Sequence, residues 1–273
     1  MQPDFNEYKR PFDGGGFRRL KIAGDWDSPQ FRDCLFGFEK HFQLRPAFHD
    51  YRNVLVRIGP DDALGVKKEI VAKKFRLFRK YDHLRFYFIP SKAIRSLKTA
   101  LTLLGNGLKT PRPVAIIEDY GPFNKPNCCY YLSEFLEYDC SMAEAVRQVE
   151  DDRQRRLIAA AAREIGRMHR IGLVHNDLHL SNILIKNLEG EPELYFIDLN
   201  RARQKPALSI KARAKDLIRL ALKPEELSDF LTNYDYDHYR QMMVLVRKFK
   251  ARRERWLNFK AKIRRLKSGV KLS

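Results

Sequence analysis

One ten-residue segment constrains this chain more than any other: His175-Asn176-Asp177-Leu178-His179-Leu180-Ser181-Asn182-Ile183-Leu184. It follows a helix-forming stretch, Arg153–His169, rich in Ala and Arg, which Gly172 ends. Fourteen residues beyond Leu184 stands Asp198, closing the apolar run Glu193–Asp198, which reads as a short strand. An acid and an amide sit five residues apart on one loop, and a second acid ends the next strand. A turn in which Asp and Asn only cap neighbouring elements would leave that strand and its terminal acid as coincidence.

The arrangement suits phosphoryl transfer. That reaction needs a metal to clamp phosphates, a base beside the attacking hydroxyl and a cation to hold the nucleotide. The protein-kinase pattern is H-x-D-x-x-x-x-N followed by D-F-G. His175, Asp177, Asn182 and Asp198 match it, with Asp198-Leu199-Asn200 in place of D-F-G. Asp177 is the candidate catalytic base, and Asn182 and Asp198 are the candidate metal and nucleotide ligands. His179 reads as a loop residue, since no second His lies at ligand spacing. Asn176 stands where many regulated protein kinases carry Arg, which suggests an enzyme not switched by a phosphorylated activation loop. Asp216, in Arg213-Ala214-Lys215-Asp216-Leu217-Ile218-Arg219, has two readings. It shares a helix face with Arg213 and with Arg219, as a surface ion pair would, or it is buried and orients the loop backbone.

Upstream, Arg52–Ile58 alternates as a strand does, and Glu69–Phe75 reads as its hairpin partner. Ser91–Leu104 has helical periodicity and stops at Gly105 and Gly107. Pro113–Glu118 and Cys129–Phe135 read as two more strands, and Glu134 is a further candidate nucleotide contact. Ile210–Leu222, Glu225–Leu231 and Met242–Leu266 read as helices. The order predicts an α+β, two-lobed, protein-kinase-like fold with a small antiparallel sheet lobe and a larger helical lobe. The expected divisions are an N-terminal extension and start of the small lobe over 1–49, a small nucleotide-binding lobe over 50–136, a large catalytic lobe over 137–240, and a C-terminal helix over 241–273. Val71-Ala72-Lys73-Lys74 offers two lysines to a nucleotide, pointing to opposite faces of a strand, so only one enters a cleft. The other is expected to be solvated.

Charge narrows the partners. The net charge is +19, and two stretches account for it: Lys67–Lys98 has eleven basic residues against two acidic, and Arg240–Ser273 thirteen against one. Patches of one sign meet anionic partners, whether a phosphorylated substrate, an anionic membrane or, as the alternative, nucleic acid. In the last stretch Met242, Leu245, Phe249, Trp256, Phe259, Ile263 and Leu266 form an apolar stripe opposite many cations, the pattern of a basic amphipathic helix. The four cysteines, Cys34, Cys128, Cys129 and Cys140, include no C-x-x-C pair, which argues against a zinc ribbon. They read as idle thiols in a reducing compartment. The start of the chain is polar and no apolar run is long enough to span a bilayer. A soluble or peripheral cytoplasmic protein is expected.

Over roughly residues 50–222 the chain resembles the bacterial lipopolysaccharide kinase family. The residues that carry the resemblance are Arg52-Asn53-Val54, Ile70-Val71-Ala72-Lys73-Lys74-Phe75, Ser91-Lys92-Ala93, Thr110-Pro111-x-Pro113-Val114-Ala115, Asp177-x-x-x-x-Asn182 and Ile197-Asp198-Leu199-Asn200-Arg201. The resemblance selects Lys73, because in that family a polar residue and an aromatic follow the strand lysine. It implies a kinase-like fold, ATP and Mg²⁺. It also implies phosphorylation of heptose or 3-deoxy-manno-octulosonic acid (Kdo) in the lipopolysaccharide core, or of another phosphorylated glycolipid, at the cytoplasmic face of the inner membrane. An atypical serine/threonine protein kinase and a catalytically weak, kinase-shaped binding protein are the alternatives. Two departures stand out. Lys98 lies where kinases place the helix Glu that pairs with the strand lysine. No glycine-rich loop precedes Lys73; Gly14–Gly16 is too far upstream, and Asp50-Tyr51-Arg52 is expected to occupy the turn instead.

Overall fold

A computed structural model describes residues 4–50, 53–75, 87–149 and 151–269. They form two compact units. The first comprises Met1–Asp139 with Lys186–Ala202, the second Cys140–Ile185 with Arg203–Ser273.

Among the described residues, seven strands of the first unit make one antiparallel sheet. They are β1 (Phe5–Pro11), β2 (Phe17–Ala23), β3 (Ala47–Asp50), β4 (Asn53–Ile58), β5 (Ile70–Phe75), β6 (Pro113–Gly121) and β7 (Lys125–Glu134), in the order β1-β2-β6-β7-β5-β4-β3. The expected hairpin is β4–β5, with Asn53 opposite Phe75 and Ile58 opposite Ile70. Residues 51 and 52 of the turn expected before it, and residues 76–86 of the first basic stretch, lie outside the described residues.

Sequence reading left residues 1–50 without defined elements. They supply β1 to β3, α1 (Pro29–Phe36) and α2 (Phe38–Gln43). The side chains that matter recur with helical spacing: Phe31, Leu35, Phe38 and Phe42 are all buried. With Trp26 they pack on one face of the sheet, against Leu20, Ile22, Val56, Ile70, Ala115, Ile117, Tyr130 and Leu132. The opposite face carries α3 (Lys92–Gly105), whose Ala93 and Leu97 meet Phe75, Ile116 and Cys129. Covered on both faces, β6 is buried continuously from Pro113 to Glu118, and its stretch Pro113–Ile117 reads as an unbroken apolar run rather than an alternating one.

A buried bidentate pair fastens α1 to the sheet. Arg18 binds Asp119 at 2.6 and 2.7 Å and donates to the carbonyls of Leu35 and Phe36. The glycine run is the β1–β2 turn. Gly16 has φ +89°, and a Cβ there would lie 2.2 Å from the Tyr120 carbonyl oxygen, so no other residue fits. The described cysteines carry no disulfide. Burial pushes the thiols of Cys34 and Cys129 up to about 11, and that of Cys128 to about 12.

In the second unit β8 (Cys140–Ser141) pairs with β10 (Ile183–Lys186), and β9 (Leu173–Val174) with β12 (Arg203–Gln204). Ser141 opens α4 (Met142–Gln148) with a capping box closed by Glu144. The long helix α5 (Asp151–Arg170) packs on α7 (Pro224–Tyr234). Gly172 ends the approach to the loop in a left-handed conformation, φ +79°, where a Cβ would strike the Lys205 carbonyl. The helix expected over 210–222 stops earlier, as α6 (Ile210–Leu217), and α8 (Tyr239–Gly269) carries the basic end. Met242 and Val246 of α8 are buried. Among the described residues no helix is long and apolar enough to cross a membrane.

Candidate active site

In the first unit the pleat of β5 sorts the two lysines. Lys73 extends its ammonium to Asp198, 2.6 Å from Oδ1, with only 16% of its side chain exposed. Lys74, on the other face, binds Glu39 of α2 at 2.8 Å, and the Tyr130 hydroxyl donates to the same carboxylate. Lys74 is therefore not the solvated lysine expected from sequence; it fastens α2 to the sheet.

Asp198 stands two residues past the end of β11 (Glu193–Phe196), which is held in place by the Phe196 N–H on the Lys109 carbonyl. Its backbone is left-handed, φ +58° and ψ +47°, a conformation rare outside Gly, Asn and Asp. The Asn200 amide donates to its Oδ1. The turn Leu199–Arg201 rests on α3. That helix, Lys92–Gly105, contains no acid at all, and Lys98 is exposed. The lysine partner supplied by the described residues is thus the strand-end Asp198. Glu134 closes β7, where the Trp26 indole N–H and Arg112 approach its carboxylate at 3.4 and 3.5 Å, at the outer limit for hydrogen bonds.

In the second unit the motif loop is pinned from beneath by Asp216 of α6. This carboxylate is 5% exposed. It accepts from the backbone N–H of His175 at 2.7 Å and of Asn176 at 2.6 Å, and lies 3.0 Å from Nε2 of His169. The other ring nitrogen of His169 meets the Tyr234 hydroxyl at 2.6 Å. Burial opposes the ionised form of Asp216, but the bonds from His169 and His175 outweigh it and hold its carboxyl below the ordinary range. Of the two readings of Asp216, the buried, loop-orienting one is what the structure shows. Asn176 adopts φ +61°, which Asn accommodates better than most residues. Farther along, the Asp177 carbonyl accepts from the His179 N–H at 2.9 Å and the Asn182 side-chain amide at 2.8 Å.

The side chain of Asp177 is 14% exposed and forms an ion pair with Arg219. His179 lies beside them, Nε2 3.7 Å from the Asp177 carboxylate and 3.4 Å from the Arg219 guanidinium. Burial, opposed by Asp177 and aided by Arg219, lowers the His179 pKa. Arg213 turns instead to Asp235, at 2.8 Å. Neither arginine takes Asp216 as the helical spacing suggested. Asp216 faces inward, and α6 has ended before Arg219 is reached.

The family model for the lipopolysaccharide kinase (Kdo/WaaP) family matches residues 76–239, more than half of the chain. The chain belongs to the lipopolysaccharide kinase family. The kinase is a phosphotransferase, and the matched span contains Glu134, Asp177, Asn182, Asp198, Asp216 and Arg219, while Lys73 falls just before it. No curated protein matches the chain. Among solved structures the kinase is similar to WaaP in complex with acyl carrier protein. Identity there is 21% and the TM-score 0.59, over 89% of this chain and 98% of that one. Because it covers 89% of this chain, that likeness extends the shared fold beyond the span of the family match.

The register of β5 carries its own test. Lys73→Ala is expected to raise the KM for ATP about tenfold or more, the scale of one charge-assisted hydrogen bond. Lys74→Ala is expected to leave that KM within about twofold and to lower stability, because it removes the Glu39 contact. Steady-state kinetics and thermal unfolding of both variants separate the roles, and equal effects on KM would refute the assignment.

Proposed function

We propose that the chain transfers the γ-phosphoryl group of ATP to a sugar hydroxyl of the lipopolysaccharide core, heptose or Kdo, at the cytoplasmic face of the inner membrane. The observation that carries this reading is the loop His175–Asn182. Its backbone is fixed by a buried carboxylate and its own amide, so that Asp177 is presented at a set position. In this reading the two units are the lobes of a protein-kinase-like enzyme. Asp177 accepts the proton of the attacking hydroxyl. Lys73 holds the nucleotide phosphates, with Glu134 a further nucleotide contact at the end of β7. Asn182 and Asp198 offer an amide oxygen and a carboxylate, the hard donors suited to Mg²⁺, which takes one or two protein oxygens and completes its shell with phosphates and water. The Asn182 amide nitrogen is already engaged with the loop, so its oxygen is the atom that would take the metal. When bound, Mg²⁺ would neutralise charge on the phosphates. Mass analysis of the lipopolysaccharide core with and without the gene tests the substrate. Loss of one phosphate without the gene, restored by the wild-type chain and not by Asp177→Asn, is expected; an unchanged core would overturn the reading.

Helix α8 supports membrane association. Its first turns are packed, with Met242 and Val246 buried. From Arg252 to Ile263 it is largely exposed, Trp256 to 53% and Phe259 to 61%, among many cations. Exposed aromatics and cations on one helix suit an anionic lipid surface, at about 1 kcal/mol per basic residue near the headgroups. Deleting 252–273 is expected to abolish binding to anionic vesicles while leaving ATP binding intact. In the whole protein Trp256 fluorescence is expected to shift to the blue when vesicles are added. Binding to RNA with no response to vesicles at low salt would make the helix a nucleic-acid contact instead. A second reading concerns a protein partner. Because WaaP was solved in complex with acyl carrier protein, we propose that protein as a partner here too, testable by copurification.

A further inference from the structure

The proposed base does not stand open. The Arg219 guanidinium pairs with the Asp177 carboxylate, and both side chains are more than two-thirds buried, Arg219 being 29% exposed and Asp177 14%. A carboxylate so paired is a poor proton acceptor, because a cation neutralises its charge and occupies an oxygen lone pair. Transfer to a sugar hydroxyl asks the opposite of Asp177. It must take the hydroxyl proton as the sugar oxygen bonds the γ-phosphorus, while ADP leaves with the electrons of the broken P–O bond. Withdrawal of the arginine from Oδ1 when the acceptor binds would restore that basicity.

The structure shows how it can move alone. Arg219 lies past the end of α6, on a turn closed by the Leu220 N–H on the Leu217 carbonyl at 3.1 Å, with both leucines buried. The same segment carries Asp216, which pins the loop backbone. Backbone and loop stay fixed, and a long side chain with many rotamers is what remains to be displaced. A guanidinium mostly withdrawn from water leaves a carboxylate most readily for another anion. Phosphates and carboxylates match its fork of donors equally well.

We propose that Arg219 is the acceptor-recognition residue. It binds an anionic group, phosphate or carboxylate, next to the target hydroxyl of the acceptor, and in doing so releases Asp177 to act as base. The enzyme then withholds its base until an anionic acceptor is in place, which suppresses transfer to water. This rests on Asp177 being the base.

The test uses the full chain, with purified lipopolysaccharide core as acceptor in three forms: native, enzymatically or chemically dephosphorylated, and carboxyl-reduced. Arg219→Ala is expected to raise the KM for the native core at least tenfold, with a smaller change in kcat. It is also expected to raise acceptor-independent ATP hydrolysis several-fold, since the Asp177 carboxylate then loses the cation that lowers its basicity. Arg219→Lys, which keeps the charge, is expected to recover part of the KM. For the wild type, one modified core should show the same loss as the variant: the dephosphorylated core if phosphate is read, the carboxyl-reduced core if carboxylate is read. Wild-type KM unchanged by both modifications, or a variant in which kcat falls with KM and ATP hydrolysis unaltered, overturns the proposal and leaves Arg219 as a residue that only orients Asp177. Asp177→Asn in the same assay keeps the two readings apart. Retained turnover there would remove the base, whereas the dependence of acceptor KM on Arg219 is scored independently.

Discussion

Asp177→Asn is expected to leave the fold and ATP binding in place and to lower turnover by about two orders of magnitude or more, the scale on which general-base losses are felt. The substitution is nearly isosteric. The loop bonds that Asp177 makes through its backbone carbonyl, to the His179 N–H and the Asn182 amide, do not depend on its side chain. The backbone N–H groups of His175 and Asn176 stay on Asp216. An amide oxygen can still accept from Arg219, so the neighbourhood of residue 177 persists. What is lost is an oxygen able to take a proton. The KM for ATP should stay within a few-fold, because the nucleotide contacts proposed for Lys73 and Asp198 lie in the first unit. Steady-state rates with core acceptor, beside ATP titration of the same preparation, check both halves. A variant that keeps most of its turnover means that Asp177 is not the base.

The parts of the candidate site that can be read from sequence are those whose chemistry demands local spacing. Asp177 and Asn182 must sit on one short loop, and Asp198 must end a strand, so their positions are written in a few consecutive residues. Lys73 was legible only as one of two, and strand alternation together with the family resemblance chose between them. The structure then gave each lysine a separate acid, Asp198 and Glu39. Neither pairing follows from spacing, since 125 and 35 residues separate the partners. The place of Arg219 beside Asp177 was not legible, for a physical reason. Helical (i, i+3) geometry assigns it to Asp216, but α6 ends at Leu217, and two residues beyond a helix end the side chain no longer projects from the same face. The first fifty residues were the largest gap. Their strands pair with distant β6 and with one another across a glycine turn, and only the buried series Phe31, Leu35, Phe38 and Phe42 carried a periodic signal. The missing helix acid was legible as a departure. Its consequence, a lysine paired with the strand-end aspartate, was not.

The largest stability effect is expected at Asp216. This carboxylate accepts two backbone N–H groups and meets His169, in a setting that admits almost no solvent. Asp216→Ala leaves the His175 N–H and the His169 ring buried without it, at about 1–3 kcal/mol for each unsatisfied group, while the N–H of the exposed Asn176 can turn to water. A total near 3 kcal/mol, or a fall of about 10 °C in Tm for a chain of this length, is the expected result. Asp216→Asn does little better, because its NH₂ must face a donor where a carboxylate oxygen stood. The effect has a sign in pH. The folded carboxyl titrates below the ordinary carboxylate range, because hydrogen bonds from His169 and His175 overcome the cost of burial. Its stabilisation is therefore fully present above about pH 4, near the pKa of an unfolded Asp, and is lost as pH falls through the lower folded value. The wild type should lose stability on acidification below about pH 4 more steeply than Asp216→Ala. Chemical denaturation at pH 7 and at pH 3 measures both, and equal stability of the two proteins at pH 7 would sink the assignment. Turnover supplies the functional half. Assayed well below its Tm, a folded Asp216→Ala should still be slow, because the loop that presents Asp177 has lost the carboxylate that fixes its backbone. A variant that is destabilised yet fully active would show that Asp216 supports the fold without positioning the base.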